Sequence, residues 1–289
     1  MIGILNVLKP TGMSSHDVVN SVRKILNVKK AGHAGTLDPN AAGVLVVCVG
    51  KATKISEFLM KGNKEYVCEL ILGQSTDTQD SYGIVTNQSE KVSASPDELK
   101  EVLKKFRGEL TQIPPAYSAL KVKGKKLYEY ARQNIQVEKA GRKIHVYDIR
   151  LLKFTGTRAL LKVRCSKGTY IRTLCNDIGE ALGTYGHMGI LIRTESNGFH
   201  INESITLEEL KFMGDNRRLD ECLIPLDQVY KLDKISIESK HYDRLTAGNE
   251  VDGGLRVKSD VFYVYCRDKL IGIGRKTRDG RIKIDKMLV

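Results

Sequence analysis

The chain has 289 residues, 41% of them hydrophobic, which is enough for one large globular domain or two. Its 47 Lys and Arg residues outnumber 34 Asp and Glu residues, and the net charge of +13 favours a polyanionic partner, either a nucleic acid or an anionic membrane. No apolar run approaches the roughly 20 residues of a membrane span, and residues 1–7 are too short and uncharged for a signal peptide. We therefore expect a cytoplasmic protein.

The six cysteines indicate neither a zinc site nor a disulfide framework. They form no Cys-x-x-Cys pair and have no histidine at ligand spacing. Cys48 and Cys68 fall in apolar or alternating stretches, so we expect both to be small core residues. The chain also contains neither a Gly-x-Gly-x-x-Gly nor a Gly-x-x-x-x-Gly-Lys-(Ser/Thr) string. We therefore expect no cofactor.

The N-terminal region predicts a strand followed by a helix. Residues 2–8 are a short apolar run that ends in the Lys-Pro-Thr-Gly sequence of residues 9–12. Ser14 or Ser15 suits the N-cap of a helix that ends near Asn27. The apolar residues of this helix recur at helical spacing and would face the core: Val18, Val22, Ile25 and Leu26.

Residues 32–45 predict a tightly shaped loop that runs into an apolar strand over residues 44–49. The loop holds three glycines, a proline and an asparagine, which favour backbone angles that other residues resist. Asp38 lies in its middle, and Pro39 keeps the Asp38 backbone out of the helical region. A carboxylate held in this way can be aimed at a substrate, although an Asp-Pro pair can also simply begin a turn.

The next segment predicts a short helix, a strand and a loop. The helix covers residues 56–60 and would end at Gly62. Alternation over residues 66–72 predicts a strand that is buried on at least one side. Residues 76–83 are polar, acidic and rich in turn formers, which indicates a loop.

Residues 95–132 predict a capped helix and a basic insert. Ser95 and Glu98 form a capping box for a helix that runs to Arg107. Beyond that helix, residues 112–132 combine prolines and lysines with interleaved tyrosines. This pattern suits an insert that faces a nucleic acid, and it equally suits the solvated face of a basic helix.

A hairpin and a helix follow. Residues 144–154 and 159–166 read as two strands joined by a short turn. Residues 170–182 predict a helix, and Arg172 falls in its first turn. Because the helix dipole disfavours a cation at that end, the position of Arg172 suggests a partner anion.

The C-terminal third is rich in strands. Residues 186–199 predict strands, and residues 207–212 predict a short helix. From about Lys234 onward five short strands punctuated by glycines predict a small β-barrel-like module: residues 235–237, 255–257, 261–266, 269–274 and 281–284. Residues 232–289 carry 13 Lys and Arg against 9 Asp and Glu, so both parts of the chain are basic and can contact RNA.

The loop around Asp38 resembles the catalytic motif of the tRNA pseudouridine-55 synthase (TruB) family. That motif is Gly-His-x-Gly-(Thr/Ala)-Leu-Asp-Pro-x-Ala-x-Gly-(Val/Met)-Leu, and every fixed position is filled by residues 32–45. The resemblance extends almost from end to end of the chain. Further matching segments occur in order at residues 8–15, 50–54, 64–66, 73–80, 113–121 and 166–172.

The resemblance implies both a fold and an activity. The fold would be α+β, with a mixed sheet flanked by helices over residues 1–231 and a small PUA-like, RNA-binding β-barrel over residues 232–289. The activity would be that of an isomerase, an intramolecular transferase that converts uridine 55 in the T-arm of tRNAs to pseudouridine. It would use base flipping and a catalytic aspartate without a cofactor. The implied partner is tRNA, and neither a membrane nor a protein partner is required. We expect the protein to be a monomer.

Three catalytic residues are carried over from the family. Asp38 would be the nucleophile or electrostatic partner, and the residues leave open whether it adds to C6 of the base or assists at C1′. Arg172 matches the family's ion-pair partner of that aspartate, although it could instead clamp a surface phosphate. Tyr66 matches the family's active-site tyrosine, which could stack on the uracil and accept a proton, whereas by itself a strand tyrosine suits the core.

Five further residues are expected at the substrate. His33 resembles the family residue that fills the place of the flipped base. Asp80 matches an acidic loop position that contacts the flipped nucleotides, and Leu191 matches an apolar wall under the uracil. Lys9 and Arg193 are expected either to bind phosphate or to position the loop.

Two rival hypotheses remain. The guide-RNA-directed pseudouridine synthases of ribonucleoproteins share the aspartate motif and act with partner proteins, although the insert at residues 112–132 favours a stand-alone enzyme. A non-catalytic RNA-binding protein or tRNA folding chaperone would use the same basic surface. Binding alone does not require a carboxylate that faces a polyanion, so Asp38 speaks against a purely binding role.

Overall fold

The structure of the protein is a computed structural model that describes residues 1–289 except residues 91, 93, 119, 123, 134, 136, 230 and 253–258. Its strands, in chain order, are β1 (Gly3–Lys9), β2 (Ala31–His33), β3 (Ala42–Val49), β4 (Lys64–Leu72), β5 (Gln74–Thr76), β6 (Val85–Gln88), β7 (Gly108–Gln112), β8 (Lys121–Val122), β9 (Lys125–Lys126), β10 (Arg142–Phe154), β11 (Arg158–Cys165), β12 (Gly186–Ser196), β13 (Phe199–His200), β14 (Asp233–Ile237), β15 (Val261–Cys266), β16 (Lys269–Lys276) and β17 (Ile282–Met287). Its α-helices are α1 (Ser15–Ile25), α2 (Ser56–Leu59), α3 (Pro96–Lys105), α4 (Leu127–Ala131), α5 (Ile171–Ala181), α6 (Leu207–Asp215), α7 (Leu226–Val229) and α8 (Tyr242–Thr246).

A mixed sheet forms the body of the fold. In the described chain its strand order is β1-β3-β12-β4-β11-β10-β7, with β2 paired to β3 and β13 paired to β12. Neighbouring strands run antiparallel, except that β12 runs parallel to β3, with Ile192 opposite Ala42 and Arg193 opposite Gly43. This parallel contact places the strand that leaves the Asp38 loop directly beside Arg193.

The helix caps follow the sequence. Ser14 is the N-cap of α1, where its hydroxyl accepts from the Asp17 amide and the Asp17 carboxylate accepts from the Ser14 amide. Ser95 and Glu98 form the same reciprocal pair at α3, with Pro96 in the first turn. Both capping boxes satisfy amides that would otherwise lack partners at the helix start. The predicted starts of these two helices are therefore confirmed.

Helices pack on the sheet through two apolar clusters. Strand β4 buries every second residue from Lys64 to Leu72, and its buried side chains pack with α3 and α5 through residues such as Leu99 and Leu174. The second cluster joins α1 and α6 to β1 and β3. Cys48 and Cys68 are both buried, as predicted for small core residues. None of the described helices has the length and apolarity that a membrane span requires.

A second, smaller sheet follows the main one. It has the order β14-β15-β16-β17 in the described residues, with β14 parallel to β15. Four of the five predicted C-terminal strands are confirmed; the fifth, at residues 255–257, lies outside the described residues. The assignment of residues 232–289 as a separate RNA-binding domain stays a prediction.

The two sheets share a contact region. Tyr263 on β15 is fully buried and donates its hydroxyl to the Leu226 carbonyl at 2.9 Å. Tyr263 also belongs to an apolar cluster that includes Ile4 of β1 and Ile55. Lys54 donates to the Met287 carbonyl at 2.7 Å. Burial of apolar side chains from both sheets in one cluster holds the smaller sheet against β1 and the segment that precedes α2.

Candidate active site

The Asp38 loop connects β2 to β3 and passes very close to β12. Gly43 has a φ of 111°, and a Cβ built there would lie 2.2 Å from the Arg193 carbonyl oxygen. Gly35 also has a positive φ, 143°. Because only glycine combines this backbone geometry with this close approach, the loop has the tight shape that its glycines predicted.

Two residues that precede or begin α1 hold the loop backbone. Ser15 Oγ donates to the Leu37 carbonyl at 2.8 Å and accepts from the Leu37 amide at 2.8 Å. The ammonium of Lys9 donates to the carbonyls of Pro10, Met13 and Pro39 at 2.7, 2.6 and 3.1 Å. Lys9 is fully buried, and burial lowers its pKa from 10.5 to about 8. The loop is thus tied to β1 and α1 on both sides of Asp38.

Arg193 holds the same loop from β12. It is 1% exposed and donates to the carbonyls of Gly35 at 3.1 Å, Thr36 at 3.2 Å and Val44 at 2.7 Å. Lys9 and Arg193 were each expected either to bind phosphate or to position the loop. Both cations are buried and already donate to backbone carbonyls. The geometry therefore supports the loop-positioning role, and neither cation is accessible to a phosphate.

Asp38, Arg172 and Asp80 form a network of ion pairs. Arg172 Nη2 lies 2.9 Å from Asp38 Oδ2, and Arg172 Nη1 lies 3.6 Å from Asp80 Oδ2. The guanidinium is 9% exposed, whereas the Asp38 side chain is 43% exposed. Arg172 lies in the first turn of α5, where the dipole disfavours a cation. The partner anion that this position suggested is therefore present, and it consists of two carboxylates.

These residues open onto a cavity of about 210 Å³. Leu191 and Met188 of β12 give the cavity an apolar wall, and both are nearly buried. The residues that line the cavity are Asp38, Pro39, Asn40, Ala41, Asp80, Tyr82, Tyr117, Tyr128, Arg132, Arg172, Met188, Gly189 and Leu191. Four of the eight predicted site residues, Asp38, Asp80, Arg172 and Leu191, thus come together around one cavity.

Tyr66 lies behind the cavity wall. It is 7% exposed and packs in the apolar cluster that also contains Ala41, Met188 and Leu191. Burial raises the pKa of Tyr66, although the nearby Arg193 guanidinium acts in the opposite direction. Tyr66 is absent from the described residues that line the cavity. Its roles in stacking and in proton transfer stay predictions.

His33 ends β2, immediately before the loop. It pairs with Val47 of β3, and its Nδ1 atom is buried without a hydrogen-bond partner among the described residues. Burial and the nearby Arg193 guanidinium lower the pKa of His33, so the neutral imidazole is favoured. The expected role of His33 in filling the place of the flipped base stays a prediction.

Sequence reasoning missed several cavity residues. Tyr117, Tyr128 and Arg132 come from the insert, whose basic and aromatic pattern marked the segment but not its place at the cavity. The Arg132 guanidinium carbon and the Lys126 ammonium nitrogen lie 5.4 and 5.3 Å from the centre of the Tyr128 ring. Tyr82 and the β12 residues Met188 and Gly189 gave no local signal, because their position depends on how the 76–83 loop packs on β12. No cluster of His, Cys, Asp or Glu in the described chain has the arrangement of a metal site.

Comparison with known proteins gives consistent matches. Residues 23–171 match the model of the TruB family pseudouridylate synthase N-terminal domain, and residues 172–231 match that of the tRNA pseudouridylate synthase B C-terminal domain. The chain is 50% identical to tRNA pseudouridine synthase B of Alkaliphilus oremlandii, over 95% of this chain and 93% of the relative. It is 41% identical to tRNA pseudouridine synthase B of Clostridioides difficile, over 99% of each chain.

Solved structures share the fold. A Cbf5-Nop10-Gar1 complex contains a chain that is 29% identical with a TM-score of 0.73, and the match covers 99% of this chain and 85% of that one. An H/ACA RNP bound to a substrate RNA containing 2′-deoxyuridine contains a chain that is 27% identical with a TM-score of 0.71, over the same fractions. The α+β fold with a small C-terminal sheet is thus confirmed.

Proposed function

Since the chain belongs to the TruB family of pseudouridylate synthases, we propose that it isomerises uridine 55 in the T-arm of tRNAs to pseudouridine. The curated relatives that match nearly its whole length are named tRNA pseudouridine synthase B. The observation that carries the proposal is the half-exposed Asp38 carboxylate, held by Arg172 at the edge of a cavity large enough for one base.

The isomerisation needs a positioned carboxylate. Pseudouridine forms when the N1–C1′ bond breaks, the detached base rotates and C5 joins C1′; C5 loses a proton and N1 gains one, with no net redox change. Asp38 supplies the carboxylate, either by adding to C6 or by stabilising C1′. Arg172 donates to one of its oxygens and is itself paired with Asp80, so the second Asp38 oxygen is free to face the base.

Tyr66 is our candidate for the proton acceptor. Burial raises its pKa, which opposes ionisation, but the nearby Arg193 guanidinium favours a developing phenolate. The same guanidinium holds the loop that carries Asp38. A single cation would therefore link the position of the nucleophile to the charge on the acceptor.

The cavity suits a flipped base. Unstacking a nucleotide from a folded RNA arm costs a few kcal/mol, which contacts in the pocket must offset. Leu191 and Met188 offer an apolar wall to the uracil ring, and Asp80 lies beside Arg172 on the polar side. His33, at the start of the Asp38 loop, would fill the place that the base leaves.

We further propose that the protein acts alone, as a cytoplasmic monomer, with residues 232–289 as an RNA-binding domain. The relatives with 41–50% identity are named as tRNA enzymes, whereas the structures of protein complexes match at 27–29%. The insert at residues 112–132 lines the cavity with Tyr117, Tyr128 and Arg132, which gives this chain its own RNA-facing side chains.

The test is tritium release from unmodified tRNA labelled at C5 of uridine. We expect release by the purified wild type without added metal, cofactor or protein, and none above background by Asp38→Asn. Glu203→Gln, which removes an exposed carboxylate outside the cavity, is the matched control and should behave as the wild type. Binding of tRNA without release by the wild type would contradict the proposal and favour a chaperone or a guide-dependent enzyme. Sedimentation of the same sample with and without tRNA would test the monomer.

A further inference from the structure

An exposed aromatic side chain stands at the cavity beside the proposed catalytic residues. Tyr82 is 68% exposed, yet it is one of the residues that line the cavity, together with Asp38 and Arg172. Among the described residues no ring and no cation stacks on Tyr82, whereas Tyr128, another residue that lines the cavity, has Lys126 and Arg132 over its ring. The ring therefore has a free face in a protein whose net charge favours RNA.

The turn that carries Tyr82 is rigidly built. The Asp80 carboxylate accepts from the Tyr82 amide at 3.0 Å and from the Thr78 hydroxyl at 2.7 Å, while its other oxygen faces Arg172. Gly83 follows directly, and a Cβ there would lie 2.3 Å from the Thr78 hydroxyl, so the turn is closed tightly.

The same turn is fastened to β12, the strand that forms the cavity wall. The Ser81 amide donates to the Met188 carbonyl at 2.9 Å, and the Met188 amide donates to the Gln79 carbonyl at 3.0 Å. The Gln79 side chain accepts from Thr173 of α5 at 2.7 Å. The Tyr82 ring is thus presented by a turn whose backbone is hydrogen-bonded to β12 and whose Gln79 side chain is hydrogen-bonded to α5.

We propose that Tyr82 is a stacking platform for the base of a nucleotide next to the isomerised uridine. This inference rests on the proposed function, because it takes the cavity as the site of the target base. A cavity of about 210 Å³ holds one base and leaves the adjacent base outside, where the Tyr82 ring stands. Any base can stack on an exposed aromatic ring. Tyr82 would therefore increase the affinity for an unstacked strand without sequence specificity.

The experiment measures kinetics on a T-arm stem-loop RNA and on two versions that are abasic at the position just 5′ or just 3′ of the target. We expect Tyr82→Ala to raise KM about tenfold on the intact RNA, equivalent to about 1.4 kcal/mol, with kcat within about twofold. Tyr82→Phe keeps the ring and should match the wild type. Tyr147→Ala, which removes another exposed tyrosine outside the cavity, is the control for loss of a surface aromatic.

The abasic RNAs identify which neighbouring base stacks on Tyr82. One of them should raise the KM of the wild type about tenfold and leave that of Tyr82→Ala unchanged, because the stacking pair is already lost. Equal KM for Tyr82→Ala and the wild type, or the same abasic penalty in both, would overturn the inference.

A readout without turnover separates this inference from the proposed function. In the Asp38→Asn background, RNA with 2-aminopurine at the identified position should lose fluorescence on binding if Tyr82 is present and keep it with Tyr82→Ala. Absence of tritium release by the wild type would refute the proposed function, whereas unquenched 2-aminopurine in both proteins would refute the stacking role.

Discussion

The guanidinium of Arg172 lies 2.9 Å from the carboxylate of Asp38, although Arg172 lies in the first turn of a helix and Asp38 lies in a loop before a strand. Arg172 also faces Asp80, so one cation is shared by two carboxylates. This arrangement holds the Asp38 carboxylate in place while leaving its side chain 43% exposed.

Replacement of Arg172 by lysine should slow the reaction. In Arg172→Lys the charge remains, but a single ammonium cannot span both Asp38 and Asp80 with the fork of a guanidinium. We expect the single-turnover rate of tritium release to fall about 10²-fold, the penalty of a misplaced reacting group. Lys104→Arg, on the exposed face of α3, is the control for a cation swap. A rate within twofold of the wild type would show that the pairing does not position Asp38.

Substitution of Gly43 by alanine should lower the free energy of unfolding more than the same substitution at another glycine of positive φ. Gly43→Ala places a Cβ 2.2 Å from the Arg193 carbonyl oxygen at a φ of 111°. We expect a loss of about 3 kcal/mol or more in the free energy of unfolding. Gly156 has a φ of 85° with open space around it, so Gly156→Ala should cost only about 1 kcal/mol. Urea unfolding of the two variants measures the difference, and equal losses would contradict the close approach.

Lys9 should make stability depend on pH in the alkaline range. Its pKa falls from 10.5 to about 8 on folding, so between these values the unfolded state binds more protons than the folded state. Stability contributed by Lys9 therefore rises from about pH 8 to pH 10.5, at a slope approaching 1.4 kcal/mol per pH unit, and is independent of pH below that window. The difference in unfolding free energy between the wild type and Lys9→Met isolates this slope. A constant difference from pH 7 to pH 10 would contradict the lowered pKa.

Arg193 should contribute to stability and not to phosphate binding. Arg193→Met leaves three loop carbonyls without donors, and we expect unfolding to become easier by about 3 kcal/mol. The slope of log K against log salt for binding of tRNA should be unchanged, whereas loss of one phosphate contact would reduce it by about 0.7–0.9. Lys121→Ala, which removes an exposed cation of the insert, serves as a comparison for that slope. A reduced slope in Arg193→Met would show instead that Arg193 contacts a phosphate of the tRNA.

Much of the local structure follows from local sequence. The capping boxes at Ser14 and Ser95, the alternation from Lys64 to Leu72 and the hairpin of β10 and β11 were all predicted, because caps and side-chain periodicity act between near neighbours. The shape of the Asp38 loop also followed from its glycines. These local signals place Asp38 in its loop and Arg172 in the first turn of its helix, and the family resemblance implied that the two pair.

The sequence by itself determined the longer helices and strands, the family resemblance and the carboxylate in a shaped loop. The tertiary structure decided which cations are available to a ligand. Lys9 and Arg193 became buried supports because carbonyls 30 and 149 residues away along the chain accept their hydrogen bonds. It likewise placed Tyr82 at the cavity, through bonds between its turn and β12. Burial and pairing across the sheet depend on how distant segments pack, which no local pattern encodes.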